Sequence, residues 1–349
     1  MSFPATHHAH PSARRSIGDA PDRGDSIVLV LSADEAFGMP MAVTLHSALH
    51  NLRPALRAEI FVLDGGLGEF TRGRLRQIAA RHGATLHFVV PNLDRYRTPR
   101  LGTQDRFSAI NYARIHLAES LPERVERAVY LDCDLLVERD LGALMEIPFD
   151  DAVLLAVQDA VIPFVSSTLG VQRWRALGYP PDTPFFNSGL MVVNLVRYRT
   201  EQIGAQVFDY LLRYRDQLNL FGNQEGFNAI LAERWAPLDP RWNVVHGVYD
   251  PAWRRRTEER EGIRIPHRAL TAAPYAIHFT ADTKPWEPSS QHPARGRFYH
   301  YLWQSHFFPR SEHLRWRLAH DARRAYHWLR RASRPVRHTL GITASRIGT

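Results

Sequence analysis

The chain has 349 residues, 44% hydrophobic and 23% charged, enough for one large packed domain and too apolar for a disordered or fibrous chain. One cysteine, Cys133, excludes a disulfide framework or multi-cysteine zinc site and fits a reducing cytoplasm, and no run reaches the roughly 18–20 apolar residues of a membrane-spanning helix. Residues 1–309 balance 34 Lys plus Arg against 34 Asp plus Glu, so the net charge of +8 belongs to residues 310–349, whose ten Arg face only Glu312 and Asp321; a neutral body with a basic tail argues against a protein whose main face grips nucleic acid.

Residues 1–25, with His7, His8 and His10 among Gly, Pro and Arg, read as a flexible leader of solvated side chains; their arginines precede no apolar core, so they are not a secretory signal. Residues 27–32 read as a buried strand and 41–51 as a helix. A strand at 59–63 ends in Asp64-Gly65-Gly66, followed by a helix at 70–81 and a strand at 85–90. Residues 110–119 are helical in pattern, and 127–131 and 152–158 are strands. Continuous apolar strands alternating with helices predict an α/β fold, a single Rossmann-like, mostly parallel sheet covered on both faces. Such sheets bind ligands at the carboxyl ends of their strands. Beyond Asp159, residues 185–195 are strand-like, 201–218 and 225–233 helical, 249–270 charged and irregular, and 275–280 a short strand. No linker interrupts 26–309, which reads as one catalytic domain.

The strongest local signal is Val129-Tyr130-Leu131-Asp132-Cys133-Asp134-Leu135-Leu136-Val137, an apolar strand running into carboxylates at i and i+2. Alternation along a strand puts Asp132 and Asp134 on one face and Cys133, a small buried hydrophobe, on the other. Two such carboxylates repel unless a cation lies between them or one is protonated. Mg2+ or Mn2+ fills that role and keeps positions open for phosphate oxygens. On spacing alone, two surface aspartates in a turn are the commoner reading.

The surrounding stretches change that balance. Ser108-Ala109-Ile110-Asn111-Tyr112-Ala113-Arg114-Ile115-His116-Leu117 precedes the carboxylates; Phe186-Asn187-Ser188-Gly189, Asn223-Gln224-Glu225 and His278-Phe279-Thr280-Ala281-Asp282-Thr283-Lys284-Pro285-Trp286 follow. In this order they resemble the family 8 glycosyltransferases, over roughly residues 27–308. The resemblance implies a retaining enzyme with a glycosyltransferase A-type fold, akin to the bacterial lipopolysaccharide galactosyl- and glucosyltransferases. It implies that Ala33 and Asp34 hold the uracil of a UDP-sugar and that Arg114 reaches the donor sugar and phosphate. It makes Asp132, Asp134 and His278 the ligands of Mn2+ or Mg2+, with Asp132 also touching ribose or sugar. Lys284 falls on the diphosphate, and Asn187 and Gln224 beside the reacting carbon. Three positions depart from the family pattern: Ala36 replaces an asparagine that contacts the nucleotide, Asn223 an aspartate of the sugar pocket, which bears on the sugar accepted, and Ala281 a glycine near phosphate.

Elementary chemistry supports the same assembly. A departing nucleoside diphosphate gathers negative charge and needs positive charge fixed beside it. A divalent ion supplies it as a Lewis acid, and Lys284, the sole lysine beside 43 arginines, adds a point charge. His278 follows Tyr275-Ala276-Ile277 and so stands at a strand end, and Pro285-Trp286 stiffens the loop that carries Lys284. Asp159, after the strand at 152–158, is expected to face the acceptor. Trp235, Trp242, Trp253 and Trp286 read mainly as core aromatics, with sugar stacking as the alternative.

Residues 314–334 put Leu314, Leu318, Ala322, Ala325, Trp328, Leu329 and Ala332 on one helical face and arginines on the rest, with Pro335 as the expected stop. Residues 310–349 therefore read as a basic amphipathic tail for an anionic membrane surface; docking on the body is the other reading. The expected function is metal-dependent, retaining transfer of galactose or glucose from a UDP-sugar to a glycan or lipid-linked saccharide, in the cytoplasm at the inner membrane face. No carboxylate stands out as a nucleophile near Gln224, which favours attack on the donor's own face. The rivals are a metal-dependent nucleotidyltransferase, which would release pyrophosphate, and a sugar-binding module of the same fold that has lost turnover.

Overall fold

Strands β1 (Ser26–Ala33) and β2 (Arg57–Asp64) each begin with an exposed residue, continue as buried apolar chain, and pair in parallel along their whole length. Their alternation is resolved by two apolar layers. Ile27, Leu29 and Leu31 face one layer, and Val30 faces the other. Leu31 has no exposure, so its replacement by Ala should cost about 2–5 kcal/mol. The computed structural model describes residues 26–94, 109–219, 222–280 and 282–339; the leader at 1–25, Ser108, Ala281 and the last ten residues lie outside the described residues.

The remaining strands are β3 (Thr85–Val89), β4 (Arg127–Leu131), β5 (Leu135–Val137), β6 (Leu154–Gln158), β7 (Phe186–Asn194), β8 (Trp235–Pro237), β9 (Val244–Val245) and β10 (Ala276–His278). Seven form a sheet in the order β3-β2-β1-β4-β7-β6-β8. The predicted mostly parallel α/β sheet is present, with β7 running antiparallel between β4 and β6. A small second sheet, β5-β10-β9, is an addition to the single sheet expected. It delivers His278, the last residue of β10, opposite Leu135 of β5.

Helix α1 (Gly38–His50) is buried along most of its length, and Thr44 Oγ1 lies 2.9 Å from Cys133 O and 2.7 Å from Leu135 O. One hydroxyl shared between two carbonyls thus seats the helix under the link from β4 to β5. Helices α2 (Glu69–Arg81), α3 (Ile203–Tyr214) and α4 (Gly222–Leu231) fall within four residues of expectation. The helical pattern at 110–119 resolves into a 3-10 helix, Ala109–His116, and one α turn, Leu117–Ser120.

Two expectations are corrected. The stretch expected to be irregular holds α5 (Pro251–Glu261), whose nearly all-charged sequence has no apolar period to reveal it. Its signals lie at the ends instead. The Asp250 side chain accepts from Ala252 N and Trp253 N, Pro251 opens the helix, and Gly262 closes it at φ 67°. After α6 (Arg295–Ser305), the tail helix α7 (Arg310–Thr339) runs past Pro335 rather than stopping there. Proline removes one donor, but its fixed φ is itself helical, so an isolated turn absorbs it.

Among the described side chains, the tail helix docks through the edge that carries Trp316 and His320. Trp316 stacks on Phe308 and lies against Tyr299, and buried His320 meets Tyr299 Oη at 2.9 Å. The face predicted to be apolar is turned outward: Leu314 is 58% exposed, Leu318 62% and Leu329 59%. Trp328 and Ala332 of that face lie outside the described side chains. No described helix is long and apolar enough to cross a membrane.

Candidate active site

The two carboxylates converge, though not by strand alternation. Strand β4 ends at Leu131, and Asp132-Cys133-Asp134 form the turn into β5. Thr44 holds the turn from below, and Asp132 N donates to Gly189 O at 2.8 Å. Cys133 points inward, its thiol pushed well up by burial and donating to Ser32 O at 3.0 Å.

Each carboxylate has a cation. Arg114 Nη2 lies 2.7 Å from Asp132 Oδ1, and Tyr130 Oη donates to the same oxygen at 3.0 Å. The Arg114 guanidinium is buried over the Tyr130 ring. Burial opposes its charge, but Asp132 raises its pKa further still. Lys284 Nζ lies 2.7 Å from Asp134 Oδ2 and donates to Phe279 O at 2.6 Å. Burial would raise the Asp134 carboxyl, yet the Lys284 ammonium and the His278 ring hold it well below the usual carboxylate range.

His278 completes the group, with Nε2 3.1 Å from Asp134 Oδ1 and 3.7 Å from Asp132 Oδ2. Its Nδ1 meets Asn243 Oδ1 at 2.9 Å. A carboxamide oxygen only accepts, so Nδ1 carries a proton, and Nε2 is the nitrogen turned toward both carboxylates, where an ion would take its lone pair. This is how a neutral histidine is presented to a metal. The ligand atoms of Asp132, Asp134 and His278 lie within 4.8 Å of one another, which suits one divalent cation with open positions. Gly189 makes room: a Cβ there would stand 2.2 Å from His278 Cε1 and 3.0 Å from Asp132 Oδ2.

From His278 a chain of buried amides runs to the far wall. Asn243 Nδ2 donates to Asn187 Oδ1 at 2.9 Å, and Asn187 Nδ2 to Asp159 Oδ2 at 2.8 Å. Gln224 Nε2 donates to that same oxygen at 3.2 Å, while its Oε1 accepts from Ser188 N. Asp159 Oδ1 accepts from Val161 N and Ile162 N. Asp159 is therefore a saturated buried acceptor that orients Asn187 and Gln224, rather than a free carboxylate facing an acceptor. It is also the carboxylate beside Gln224 that sequence reasoning overlooked as a candidate nucleophile.

Ala33 and Asp34 stand at the carboxyl end of β1. Ala33 O accepts from Gly65 N at 2.8 Å, and Asp34 Oδ1 is buried without a partner. A buried orphan acceptor at a strand end fits the N–H of a base. Ala36 lies in a 3-10 turn, Glu35–Phe37, whose Glu35 side chain binds Gly68 N and Thr71 Oγ1. Asn223 Nδ2 is engaged with Asn111 O, so it braces the segment before Arg114. Trp242 packs on Tyr275 and Trp286 on Phe37 and Phe298, while Trp253 is exposed on α5.

The structure thus gathers Asp132, Asp134, His278, Lys284, Arg114, Asn187, Gln224 and Asp159 into one connected site, with Ala33 and Asp34 at its β1 edge. Sequence reasoning missed Asn243 and Tyr130. Asn243 had no spacing partner to mark it. Tyr130 lies within the motif quoted for the carboxylates, which gives it no role of its own until the turn brings Asp132 Oδ1 to its hydroxyl.

A family model described as "Glycosyl transferase family 8" matches residues 28–289. General stress protein A of Bacillus subtilis (strain 168) is 24% identical over 283 residues, 80% of this chain and 94% of that protein. "Probable galacturonosyltransferase-like 2" of Arabidopsis thaliana is 30% identical over 196 residues, 51% of this chain and 52% of that protein. Among solved structures, the galactosyltransferase LgtC in complex with donor and acceptor sugar analogues superposes with a TM-score of 0.67 at 21% identity, covering 82% of this chain and 98% of that one.

Proposed function

The chain belongs to glycosyl transferase family 8, and from that premise we propose that it transfers galactose or glucose from a UDP-sugar to a saccharide acceptor with retention at the sugar carbon. The observation that carries the reading is the convergence of Asp132, Asp134 and His278 beside Lys284 and Arg114. Without an ion, two cationic side chains balance two carboxylates. With one divalent cation the site becomes net positive, as a nucleoside diphosphate requires.

Asp132, Asp134 and His278 would hold Mn2+ or Mg2+, which when bound supplies Lewis-acid stabilisation of the diphosphate. Ala33 and Asp34 receive the uracil. Arg114 positions the donor, and Lys284 stands where charge develops as UDP leaves. Asn187 and Gln224, oriented by Asp159, hold the donor sugar. The two Asp159 oxygens accept four hydrogen bonds, which disfavours it as a nucleophile and favours attack by the acceptor hydroxyl on the donor's own face. The acceptor is a glycan or lipid-linked saccharide.

The outward leucines of α7 and its arginines fit the cytoplasmic surface of an anionic membrane, which would keep the enzyme beside lipid-linked acceptors. The decisive experiment is a panel of nucleotide sugars with purified protein and Mn2+, following UDP release and the anomeric configuration of the product. UDP release with retained configuration is expected. Pyrophosphate formation from a nucleoside triphosphate, or donor binding without turnover on any saccharide, would overturn the reading.

A further inference from the structure

Helices α1 and α2 run back from the carboxyl ends of β1 and β2, so their C-termini lie at the edge of the sheet opposite the carboxylates. Three histidines meet there. His46 and His50 stand at i and i+4 on α1, a spacing that turns two imidazoles to one side of a helix, and His82 follows the last residue of α2. His46 Nδ1 lies 3.2 Å from His82 Nε2. The ring centroids are 5.2 Å apart for His46 and His82, 5.5 Å for His46 and His50, and 6.5 Å for His50 and His82.

A tetrahedral ion with metal–nitrogen bonds of about 2.0–2.1 Å separates two ligand nitrogens by about 3.3 Å and their ring centroids by about 5 Å. The His46–His82 pair already has both spacings. A direct hydrogen bond accounts for that pair as well, and helical spacing places His50 beside His46, but neither brings His82 within 6.5 Å of both rings of α1. His50 stands slightly open, its ring 6.5 Å from that of His82. It is exposed, so a side-chain rotation is free to close the third side.

The surroundings suit a cation. His46 is buried, and its Nε2 side faces the Gln304 carboxamide, whose Oε1 is likewise buried without a well-formed bond. A carbonyl behind the second ring nitrogen is the usual support of a ligating histidine. Three helix C-termini, those of α1, α2 and α6, converge on the cluster with their partial negative ends. Arg81 is the nearby cation, and its guanidinium is engaged by Gln304 O, Ser305 O and His306 Nδ1. Burial keeps the His46 ring neutral, with a pKa pushed down to about 3.

We propose that His46, His50 and His82 form a second metal site, structural in role, that takes Zn2+ or a similar borderline divalent ion with water as fourth ligand and clamps the ends of α1 and α2 together. An all-imidazole set selects Zn2+, Ni2+ or Cu2+ over Mg2+, unlike the carboxylate-rich group at Asp132 and Asp134. The proposal does not depend on the glycosyltransferase reading.

The test is Zn2+ titration of chelator-treated full-length protein by calorimetry, with thermal unfolding and the visible spectrum of the Co2+ form. His7, His8 and His10 and the Asp132–Asp134–His278 group are competing sites, so the background carries His7→Gln, His8→Gln, His10→Gln and Asp134→Asn. In that background one Zn2+ should still bind and raise Tm, and Co2+ should give the intense bands of tetrahedral coordination. Adding His50→Gln and His82→Gln should weaken Zn2+ at least tenfold and remove the Tm increment. His50→Gln alone changes an exposed side chain, so its loss of affinity cannot be ascribed to misfolding. Absence of Zn2+ binding in the background protein, or unchanged affinity after removing His50 and His82, would overturn the proposal.

Discussion

His278 turns Nε2 toward Asp134 because Asn243 accepts its Nδ1 proton at 2.9 Å, and the same Asn243 side chain donates to Asn187 on the far wall of the site. One carboxamide therefore couples the expected metal ligand to the expected donor pocket. Asn243→Leu removes both bonds and should raise the Mn2+ concentration needed for half-maximal activity by about 10–100-fold. Asn243→Asp keeps an acceptor for His278 and loses only the donor to Asn187, so its Mn2+ requirement should stay near wild type while KM for the donor rises. The Mn2+ dependence of initial rates checks both. An identical Mn2+ requirement in Asn243→Leu would show that Asn243 does not act through the imidazole.

Lys284 is held through its one nitrogen by Asp134 Oδ2 and Phe279 O. Lys284→Ala should lower kcat far more than it raises KM, by about 2–4 kcal/mol in the barrier, the range for losing one preorganised donor. Lys284→Arg should recover only part of this, since a planar fork does not fit two contacts of 2.6–2.7 Å at one nitrogen. Steady-state kinetics with saturating Mn2+ give the split. Wild-type kcat in Lys284→Ala would make the lysine a surface residue.

These residues differ in how legible they were. Asp132 and Asp134 stood out because an apolar strand ended in a repeated carboxylate, and Lys284 because it was alone among arginines. The physical reason offered for the carboxylates was nevertheless incomplete: the turn held by Thr44 brings them together, and a contact across 89 residues leaves no local trace. Asn243 was invisible for the same reason. Its partners lie 35 and 56 residues away. The antiparallel direction of β7 was hidden because a strand buried on both faces is a continuous apolar run whichever way it points. Helix α5 was legible after all, but through its Asp250-Pro251 start and Gly262 stop rather than through periodicity.

Acid should destabilise the metal-free fold through buried histidines. His292 lies among Phe279, Tyr249 and His246, accepts from Ala294 N through Nδ1, and has its pKa pushed down to about 3 by burial and then by His246. His46 is lowered to about 3 as well. Unfolded histidines hold protons below pH of about 6.5, whereas these two stay neutral in the fold until about 3. Between those limits the unfolded state binds more protons, so stability falls as pH falls, by at most about 1.4 kcal/mol per pH unit for each group. His292→Asn keeps an acceptor for Ala294 N and does not titrate. Its midpoint in urea at pH 7 should be lower than wild type, but its decline from pH 6 to pH 4.5 should be shallower. Parallel declines would mean that His292 is protonated in the fold.

The tail helix carries its docking contacts and its exposed leucines on different faces, so the membrane reading can be tested without undocking it. Trp316 and His320 hold α7 to Tyr299 and Phe308, whereas Leu314, Leu318 and Leu329 face outward among arginines. Each basic residue near an anionic surface contributes about 1 kcal/mol, and each leucine that enters the interface adds apolar burial. The full chain should therefore sediment with phosphatidylglycerol vesicles at low salt. It should be released as salt rises, because a Debye length of about 10 Å at 0.1 M already screens much of the attraction. Leu314→Asn, Leu318→Asn and Leu329→Asn together should lose vesicle binding while Tm and turnover on a soluble acceptor stay at wild-type values, since the Trp316 edge is untouched. Truncation after Phe308 is the weaker test, because it also uncovers Tyr299. Wild-type protein that ignores anionic vesicles at low salt, or a triple variant whose Tm collapses, would assign the leucine face to a protein contact and remove the membrane from the function of this enzyme.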